Sequence, residues 1–496
     1  MISPHLSIQE LNDSELKNHI DLFNFPLKAG NKECWNKLQT QFSCSHSILQ
    51  QRQQDILRLR HSDAIQELQK SLKELKDSER ILLQQIPSET TKAADGQVFF
   101  QGEHTKILNS IPYLLMILVF CKIWIFPILG LMTPVLLFIS PYILLQTMFK
   151  ITISWEMYLK MMKQLIFGIN GNEPWSLKHV VQIVWTTLGL GQGIVQPFIV
   201  SYHTQILDLA IQKRGHALLK IYRTMKQIES VFASLGVMEN QHLQVPNIPN
   251  ELYEAVSWME NEPLGMKILW TLLGRYTILI SIANNSNWNL VEWNGPLVLN
   301  NLSDLAIQKP VKSDLVLTGH TLLTGPNRGG KSSSLRAILQ QVLLGQTFGF
   351  TYKVTGSWEP FYKIHTRLKS YDTSGKESLF EMEVRNASHM IHSLQHIQSS
   401  SLILIDELFH STNPPDAETS ARIFLDKVWK LHHIKSIIST HIFTLCEDPP
   451  KNIATLCCPA SELSDGTIEY TYKLSKGICR VSSVREVLRE ANLLSA

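Results

Sequence analysis

An eight-residue segment, GPNRGGKS at residues 325–332, constrains the fold of this 496-residue chain more than any other stretch. It fits the pattern G-x-x-x-x-G-K-[S/T], in which glycines let backbone N–H groups converge on phosphate oxygens without interference from Cβ atoms. The apolar run TLL precedes the segment and a helix-like run, SSSLRAILQQVLL, follows it. A helix beginning here adds the partial positive charge of its N-terminus. The sequence therefore predicts a phosphate-binding loop between a strand and a helix.

Within this loop, each polar side chain has an expected role. Lys331 reaches the β- and γ-phosphates, and the hydroxyl of Ser332 ligates Mg²⁺. The neighbouring positions are expected to line the nucleotide: Gly325, Pro326, Asn327, Arg328, Gly329, Gly330 and Ser333.

Two later apolar runs end in residues that suit the same chemistry. SLILIDEL, at residues 401–408, carries the chain to Asp406 and Glu407. One carboxylate can order the Mg²⁺ shell, and the adjacent one can act as a general base on the attacking water. SIISTHIF, at residues 436–443, ends at His441, which can hydrogen-bond the γ-phosphate or its water. The sequence therefore predicts that one of the two carboxylates joins Ser332 as a metal ligand, and that the other carboxylate and His441 act on the water or the γ-phosphate.

The other dominant feature is an apolar block at residues 107–149, in which Lys122 is the only formal charge. A bilayer span needs roughly 20 apolar residues, so the block is long enough for two spans with a tight turn near 130–134. A buried pair of soluble helices is the alternative, although core helices seldom stay apolar on every face. Basic residues flank both ends and favour a hairpin whose two ends lie in the cytoplasm: Lys106, Lys150, Lys160 and Lys163.

The rest of the chain is divided by composition. Residues 1–45 have no predicted fold, and residues 88–106 read as a linker. Residues 46–87 are predicted as one long amphipathic helix, either packed on its own domain or forming a coiled coil. Residues 151–285 are predicted to be helical, with 180–200 as a buried helix pair. Residues 286–496 alternate strand and helix patterns, which indicates an α/β sheet.

Composition adds two limits. The formal net charge of +3 neither requires nor excludes a nucleic-acid partner. The seven cysteines show no C-x-x-C pairing, so a zinc site is not expected.

Four segments in this order resemble the ATPase domain of the MutS family, the DNA mismatch-repair branch of the ABC-class ATPases. They are TGPNRGGKS, LILIDELFHSTNPPDAETS, STHIFTL and IEYTYKLSKGICRVSSVREVL. In the second segment Thr412 and Asp416 match family positions. The resemblance implies an α/β P-loop ATPase domain after an all-α region, with ATP and Mg²⁺ as cofactors. It also implies that Asn327 contacts nucleotide. By the same resemblance, Ser332 and Asp406 are the metal ligands, Glu407 is the catalytic general base of ATP hydrolysis and His441 is the switch residue.

A fifth segment, SGKESLFEMEV at residues 374–384, resembles the S-G-x-S-x-F-x-x-E-M loop of that family. In family members this loop places a serine on the ATP of the neighbouring subunit, and Ser378 is the best match despite one extra residue after Ser374. The resemblance therefore implies a homodimer or a MutS-like heterodimer whose conformation switches with ATP.

The departures from the family leave three functions open. No F-x-E motif, the mismatch reader of the repair proteins, occurs before the ATPase segment, Arg328 replaces the usual methionine, and Pro414 and Pro415 alter the loop after the acidic pair. The preferred hypothesis is a membrane-anchored ATPase with its ATPase domain facing the cytoplasm and DNA left open as a partner. The alternatives are a soluble cytoplasmic or nuclear protein of mismatch or branched-DNA repair, and a nucleotide-gated membrane scaffold with little turnover.

Overall fold

The computed structural model describes residues 6–84, 98–100, 104–111, 113–167, 177–238, 243–368, 378–409, 411–464, 467–491 and 493. The chain divides into two compact units. The first unit is formed by Met1–Lys73, Gln227–Gln244 and Trp270–Ala496, and the second by Glu74–Lys226 and Val245–Leu269.

The helices of the described residues are, in chain order, α1 Ile8–Ser14, α2 Leu16–His19, α3 Lys28–Thr40, α4 His46–Arg60, α5 Ile65–Glu74, α6 Lys76–Leu83, α7 Leu114–Phe120, α8 Phe126–Thr147, α9 Trp155–Phe167, α10 Leu177–Leu235, α11 Leu252–Asn261, α12 Pro263–Asn284, α13 Lys331–Phe348, α14 Leu379–Gln395, α15 Pro414–Val428, α16 Thr444–Glu447 and α17 Val484–Glu490. The strands are β1 Trp288–Glu292, β2 Leu297–Leu302, β3 Ser313–Leu317, β4 His320–Thr324, β5 Phe350–Tyr352, β6 Thr355–Ser357, β7 Lys363–Arg367, β8 Ser401–Ile405, β9 Ile434–Ser439, β10 Ala454–Cys457, β11 Ala460–Glu462, β12 Ile468–Tyr470 and β13 Ser475–Lys476.

A six-stranded sheet in the first unit has the order β13-β10-β4-β9-β8-β7, and all its neighbouring strands are parallel except β13. Every residue of β4 and β8 is buried, as expected for parallel strands covered on both faces. Leu323 pairs with Ser439, and Ile405 pairs with Ile438. The carboxyl ends of β4, β8 and β9 therefore meet at one edge of the sheet, and the strand–helix alternation predicted after residue 286 is present.

A second sheet, of order β3-β2-β6-β1-β5, packs in the same unit. Helix α13, which follows the glycine loop, has almost all of its residues buried. Gly345 of this helix lies so close to Trp358 that a Cβ atom there would be 2.4 Å from the indole ring. The small residue lets α13 sit tightly against the strand region that supports it.

Residues 6–60, most of which had no predicted fold, are helical and belong to the core of the first unit. The side-chain amide of Gln53 in α4 donates hydrogen bonds to the carbonyl oxygens of Val291, at 2.7 Å, and Gly349, at 2.9 Å. Arg52 donates to the carbonyl oxygen of Thr347 at 2.8 Å. These hydrogen bonds attach α4 to β1 and to the end of α13, so the N-terminal helices are part of the same folded unit as the strands.

The prediction of one long helix over 46–87 is wrong. Three helices, α4, α5 and α6, occupy the described part of this segment, with a break between Arg60 and Ile65. At the break the hydroxyl of Ser62 accepts a hydrogen bond from the backbone N–H of Ala64 at 3.1 Å. Local hydrogen bonds of this kind offer the backbone an alternative to the helix. The periodic pattern of leucines continues across the break and therefore did not reveal that the helix ends there.

In the second unit, the predicted turn at 130–134 is also wrong. The chain runs as one helix of 34 residues from Leu114 to Thr147, through α7, a π-turn at Cys121–Ile125 and α8. Gly130 serves close packing instead of a turn, because a Cβ atom there would lie 2.8 Å from Cγ of Pro197 in α10. The hydroxyl of Ser201 in α10 donates to the carbonyl oxygen of Ile123 at 2.8 Å. The partner of the first apolar helix is therefore α10, running antiparallel to it.

The segment 180–200 was predicted as a buried helix pair, and this is wrong as well. It belongs to the single helix α10, and its large apolar side chains include exposed ones such as Trp185, 73% exposed, and Leu188, 57% exposed. Lys150, Lys160 and Lys163 follow the end of the first of the two antiparallel helices. They therefore lie at the end of the pair opposite to the start of that helix, whereas the prediction placed both groups of flanking lysines at one common end.

Within the described residues, three helices are long and apolar enough to cross a membrane by length and composition: Leu114–Thr147, Ile183–Leu235 and Pro263–Asn284. Their most apolar windows are 28%, 0% and 67% buried, respectively. The third is thus a core helix, whereas the first two expose most of their apolar surface.

Candidate functional site

The glycine loop joins the end of β4 to the start of α13. Gly325 and Gly330 have φ angles of 144° and 97°, which L residues with a Cβ atom rarely adopt. Gly330 is the residue that caps α13, so the backbone N–H groups of the first helical turn point towards the loop. This is the strand–loop–helix setting that the sequence predicted for residues 325–332.

Lys331, the first residue of α13, is folded into the loop. Its side chain is buried, and Nζ donates hydrogen bonds to the carbonyl oxygens of Gly325 at 2.9 Å and Pro326 at 3.0 Å. Burial lowers the pKa of Lys331, and the nearby carboxylates of Asp406 and Glu407 oppose this shift. The loop lysine and the acidic pair therefore lie within electrostatic reach of each other.

Ser439 at the end of β9 holds the acidic pair. Its hydroxyl donates to Oδ1 of Asp406 and accepts a hydrogen bond from the backbone N–H of Glu407 at 2.9 Å. Glu407 itself has a φ of 53°, so the chain turns sharply after Asp406. Sequence reasoning missed Ser439; the only available signal was a serine at the end of an apolar run that leads to Thr440 and His441.

His441 stands next to Glu407. Nε2 of His441 is 3.6 Å from Oε1 of Glu407, and the two side chains are 41% and 42% exposed. The backbone N–H of Thr440 donates to the carbonyl oxygen of Leu323 at 3.1 Å, which holds this strand end beside β4. A water or a phosphate oxygen can reach both side chains from solvent.

A cavity of about 560 Å³ opens over the loop. Pocket sizes of this order hold drug-sized ligands. Its wall includes most of the predicted nucleotide residues and the general base: Pro326, Asn327, Arg328, Gly329, Gly330, Lys331, Ser332, Ser333 and Glu407. Of the remaining predicted residues, Gly325, Asp406, His441 and Ser378 do not line it.

The sequence did not reveal the part of this wall that lies outside the loop, where apolar and polar residues are mixed. It is formed by Leu302, Ile307, Val311 and Tyr472, among others. Tyr472 is packed against the loop, because a Cβ atom on Gly330 would lie 3.5 Å from its ring. These positions are dispersed along the chain and carry no motif, so only the fold brings them together.

Arg328 occupies a left-handed conformation, with φ of 65°, at the tip of the loop. Its Nη1 donates to Oε2 of Glu490 in α17 at 2.6 Å, and both side chains are about half exposed. The hydrogen bond that Arg328 donates to the carboxylate of Glu490 raises the pKa of Arg328. Arg328, which was predicted to contact the nucleotide, is thus paired with a residue of the C-terminal helix α17.

Ser378 stands at the N-terminus of α14, outside the cavity of its own chain. Its hydroxyl accepts a hydrogen bond from the backbone N–H of Glu381 at 3.2 Å, and the side chain of Glu381 bonds back to the backbone of Ser378. Ser374, the first serine of the resembling loop, lies outside the described residues. A contact of Ser378 with the nucleotide of a second subunit remains a prediction.

A buried ion pair links this serine-bearing helix to the acidic loop. Glu383 of α14 is 1% exposed and pairs with Arg367 at the end of β7. The hydroxyl of Ser411, in the loop that follows Glu407, donates to Oε2 of Glu383 at 2.7 Å. The start of α14 and the acidic pair therefore share one hydrogen-bonded junction.

An α/β domain in which a glycine loop, an acidic pair and a histidine meet at one sheet edge is an ATPase-type domain. MutS domain V matches residues 321–495 of the chain. The likeness of this chain to the MutS family therefore lies in its C-terminal region, at residues 321–495.

Three curated relatives agree with this assignment. The chain is 30% identical over 182 residues to the human DNA mismatch repair protein Msh6, over 35% of this chain and 13% of that protein. It is 30% identical over 163 residues to DNA mismatch repair protein MutS of Leuconostoc mesenteroides, over 32% and 19%. It is 34% identical over 173 residues to the mitochondrial DNA mismatch repair protein MSH1 of Arabidopsis thaliana, over 34% and 15%. Each match thus covers less than a fifth of the relative.

Proposed function

We propose that this chain is a MutS-like ATPase in which binding and hydrolysis of MgATP drive a dimeric conformational switch, and that it is anchored in a membrane. The observation that carries the ATPase proposal is the junction at Ser439, which orients Asp406 and Glu407 at the same sheet edge as the loop of Lys331. The P-loop, ABC-class description of the domain rests on this arrangement together with the family match.

The residues at this edge fit magnesium and a triphosphate. Lys331 is a buried ammonium whose hydrogen bonds to loop carbonyls can be exchanged for phosphate oxygens. The hydroxyl of Ser332 and the carboxylate of Asp406 are hard oxygen donors of the kind that Mg²⁺ prefers. The metal would neutralise charge on the β- and γ-phosphate oxygens. Glu407 would take a proton from the attacking water, and His441, 3.6 Å away, would hydrogen-bond that water or the γ-phosphate.

The apolar wall of the cavity suits the nucleobase. Leu302, Ile307 and Val311 offer aliphatic surface, and Tyr472 offers an aromatic ring close to Gly330. Ligand sites commonly combine apolar walls with a few polar groups that set orientation. The loop would bind the phosphates, and the apolar side chains of the wall would pack against the flat face of adenine.

The dimeric part of the proposal rests on Ser378. This serine lies at the N-terminus of the 17-residue helix α14, where backbone N–H groups and the helix dipole favour an anion. In a head-to-head dimer it would contact the γ-phosphate of the opposite site. The Glu383 junction would then transmit the state of Glu407 in one site to the serine that completes the other.

Nucleotide binding and turnover test the ATPase proposal in the full chain. Glu407→Gln should retain ATP binding while the hydrolysis rate falls by about 10²- to 10⁴-fold, the usual contribution of a general base. Lys331→Ala should lose binding. Glu447→Gln, which alters an exposed carboxylate paired with Arg480, is the matched control and should behave as the unaltered chain. An unchanged rate in Glu407→Gln would favour the scaffold with little turnover.

A second candidate function is DNA binding, since all three relatives are named DNA mismatch repair proteins. As a soluble repair protein, the chain would prefer heteroduplex or branched DNA over homoduplex, and phosphate contacts would make the affinity fall with salt. Equal affinity for heteroduplex and homoduplex at moderate salt would exclude mismatch reading. The exposed apolar helices of the second unit favour the membrane-anchored form.

A further inference from the structure

The second unit presents an apolar surface that its own fold leaves uncovered. At the start of the first long helix, Leu115 and Val119 are buried, at 1% and 3% exposure. Beyond them the same helix exposes Trp124 by 59% and Leu137 by 59%. On the antiparallel helix α10, Val195 is 51% exposed. Exposed apolar patches on this scale mark an interaction site.

No formal charge interrupts this surface. Residues 123–149 and 180–207 contain no aspartate, glutamate, lysine or arginine. Each stretch is longer than the roughly 20 residues that a bilayer span requires. A water-facing helix pair of this length would carry charged residues on a polar face. The polar exceptions in the second stretch, such as the exposed Gln192 and Gln196, are uncharged, so the composition of the pair favours a hydrocarbon environment.

Aromatic side chains mark one boundary of the surface. Trp124 and Tyr202 are 59% and 63% exposed. The hydrogen bond between Ser201 and Ile123 places these two residues at the same level of the helix pair. Tryptophan and tyrosine concentrate where a membrane meets water, so this level corresponds to the interface nearer to the rest of the second unit.

A second aromatic group marks the other boundary. Tyr142 packs against Trp155 and Tyr158, with ring centroids 4.7 and 5.0 Å apart. Along the helix Leu114–Thr147, Tyr142 lies about 27 Å beyond Trp124 at the helical rise of 1.5 Å per residue. Along α10, the exposed Trp185 lies about 26 Å from Tyr202 by the same rise. The two spacings agree with each other and with a hydrocarbon core of about 30 Å.

Helix α9 follows this second boundary and is amphipathic. At 100° per residue, Glu156, Lys160 and Lys163 share one face, and the opposite side carries Tyr158, Met161, Met162 and Leu165. Met161 and Leu165 are 50% and 71% exposed. An amphipathic helix with lysines on its polar face and aromatic and aliphatic residues on the other suits the headgroup layer of a membrane.

We propose that residues 124–149 and 180–202 cross a bilayer as an antiparallel pair, and that α9 lies in the headgroup layer of the far leaflet. There Lys150, Lys160 and Lys163, all exposed, contact anionic phospholipid headgroups. The inference rests on the membrane part of the proposed function. It names the occupant of the uncovered surface as lipid, places both boundaries, and assigns the far leaflet a preference for negative charge.

Cysteine labelling in reconstituted vesicles tests the topology. In the full chain without its native cysteines, single variants Leu137→Cys and Leu188→Cys at mid-surface should resist a membrane-impermeant maleimide until detergent is added. Ser154→Cys and Lys213→Cys should react from opposite sides of the vesicle. Leu264→Cys, which replaces a residue 68% exposed, is the control for ordinary water access and should react from the same side as Lys213→Cys.

Reaction of Ser154→Cys and Lys213→Cys from the same side would overturn the proposal. So would a chain that remains in the supernatant and sediments as a dimer, because a second copy would then cover the apolar surface. The labelling pattern does not depend on ATP turnover. Repeating it in the Lys331→Ala background therefore separates a failure of the anchor from a failure of the ATPase proposal.

A thermal-shift measurement in detergent tests the lipid preference. Added phosphatidylglycerol should raise the Tm of the full chain more than added phosphatidylcholine does, and the difference should be lost in the double variant Lys160→Gln, Lys163→Gln. The double variant Lys430→Gln, Lys451→Gln, which removes two exposed lysines of the first unit, should keep it. Equal shifts with both lipids in the unaltered chain would refute the anionic preference.

Discussion

The hydroxyl of Ser439 donates to Oδ1 of Asp406 and accepts from the backbone N–H of the next residue, Glu407. A side chain at the end of β9 therefore holds the carboxylate of Asp406 and the backbone of Glu407, the two residues that follow β8. In a parallel sheet the two strand ends are neighbours, so a short serine reaches across without distorting either strand. The metal ligand and the general base of the proposed reaction depend on one hydroxyl group.

The first prediction concerns this hydroxyl. Ser439→Ala should lower kcat for ATP hydrolysis by about 10- to 100-fold with little change in ATP affinity, because a hydrogen bond to a charged group is worth about 1.5–3 kcal/mol. Ser436→Ala is the matched control, since Ser436 is buried in the same strand but bonds His320 instead. Steady-state kinetics of the two variants would contradict the prediction if both lost the same fraction of kcat.

The second prediction concerns the pairing of Arg328 with Glu490. In Glu490→Gln the guanidinium is released from its carboxylate partner, so ATP should bind several-fold more tightly, whereas Arg328→Ala should bind it more weakly. Both side chains are about half exposed, and exposed ion pairs contribute little to folding, so the Tm should not move. Titration with a fluorescent ATP analogue measures the effect. Identical affinities in all three proteins would show that Arg328 does not contact the nucleotide.

The third prediction concerns the buried pair of Arg367 and Glu383. Glu383→Gln leaves the guanidinium without its counter-charge, and breaking a buried pair in this way costs about 3–5 kcal/mol. Urea unfolding should show this loss in the first unit. Glu418→Gln, which removes the partner of the exposed Arg422, should leave the midpoint unchanged. Similar midpoints for both variants would mean that the pair does not support the junction between α14 and the acidic loop.

The fourth prediction is a pH dependence of stability. Burial lowers the pKa of His320 to about 4, and burial together with Lys363 lowers the pKa of His365 to about 4. In the unfolded chain a histidine titrates near 6.5, so the unfolded state takes up protons first as the pH falls. The stability that these neutral histidines contribute is present above about pH 6.5 and is lost between about 6.5 and 4.

The loss should be on the order of 1 kcal/mol per histidine. Urea unfolding at pH 7 and pH 5 measures it, and the difference should shrink in the double variant His320→Gln, His365→Gln. Histidines on the surface provide the comparison: His389→Gln, at an exposed position of α14, should leave the pH dependence as it is.

The fifth prediction concerns the contact between the two apolar helices. Gly130→Leu should lower the Tm of the detergent-solubilised chain, because even a Cβ atom at this position would lie 2.8 Å from Pro197. Gly191→Ala is the control, since nothing lies within 4 Å of the corresponding Cβ position. Equal Tm values for the two variants would show that the helices do not pack at Gly130.

The sequence was sufficient for features in which chemistry restricts residue type. Glycines at positive φ, a lysine at the start of a helix and carboxylates at a strand end can be recognised locally, and the structure assembles the loop of Lys331 with Asp406 and Glu407. It was insufficient where contacts between distant segments decide. A glycine in an apolar stretch is compatible with a turn and with a close contact between helices. At Gly130 only the position of Pro197, which the sequence does not give, shows that the glycine serves a close contact. Ser439 and Tyr472 were missed for the same reason.

The attachment of α4 to the strand–helix core has a practical consequence for dissecting this protein. Gln346 of α13 donates to the carbonyl oxygen of Ser43 at 2.9 Å, and Arg52 satisfies the carbonyl oxygen of Thr347. A fragment cut to the family match at 321–495 would expose these groups and the apolar face beneath them. Such a fragment also lacks strands β1, β2 and β3 of the second sheet, so biochemical work on the glycine loop requires the full chain.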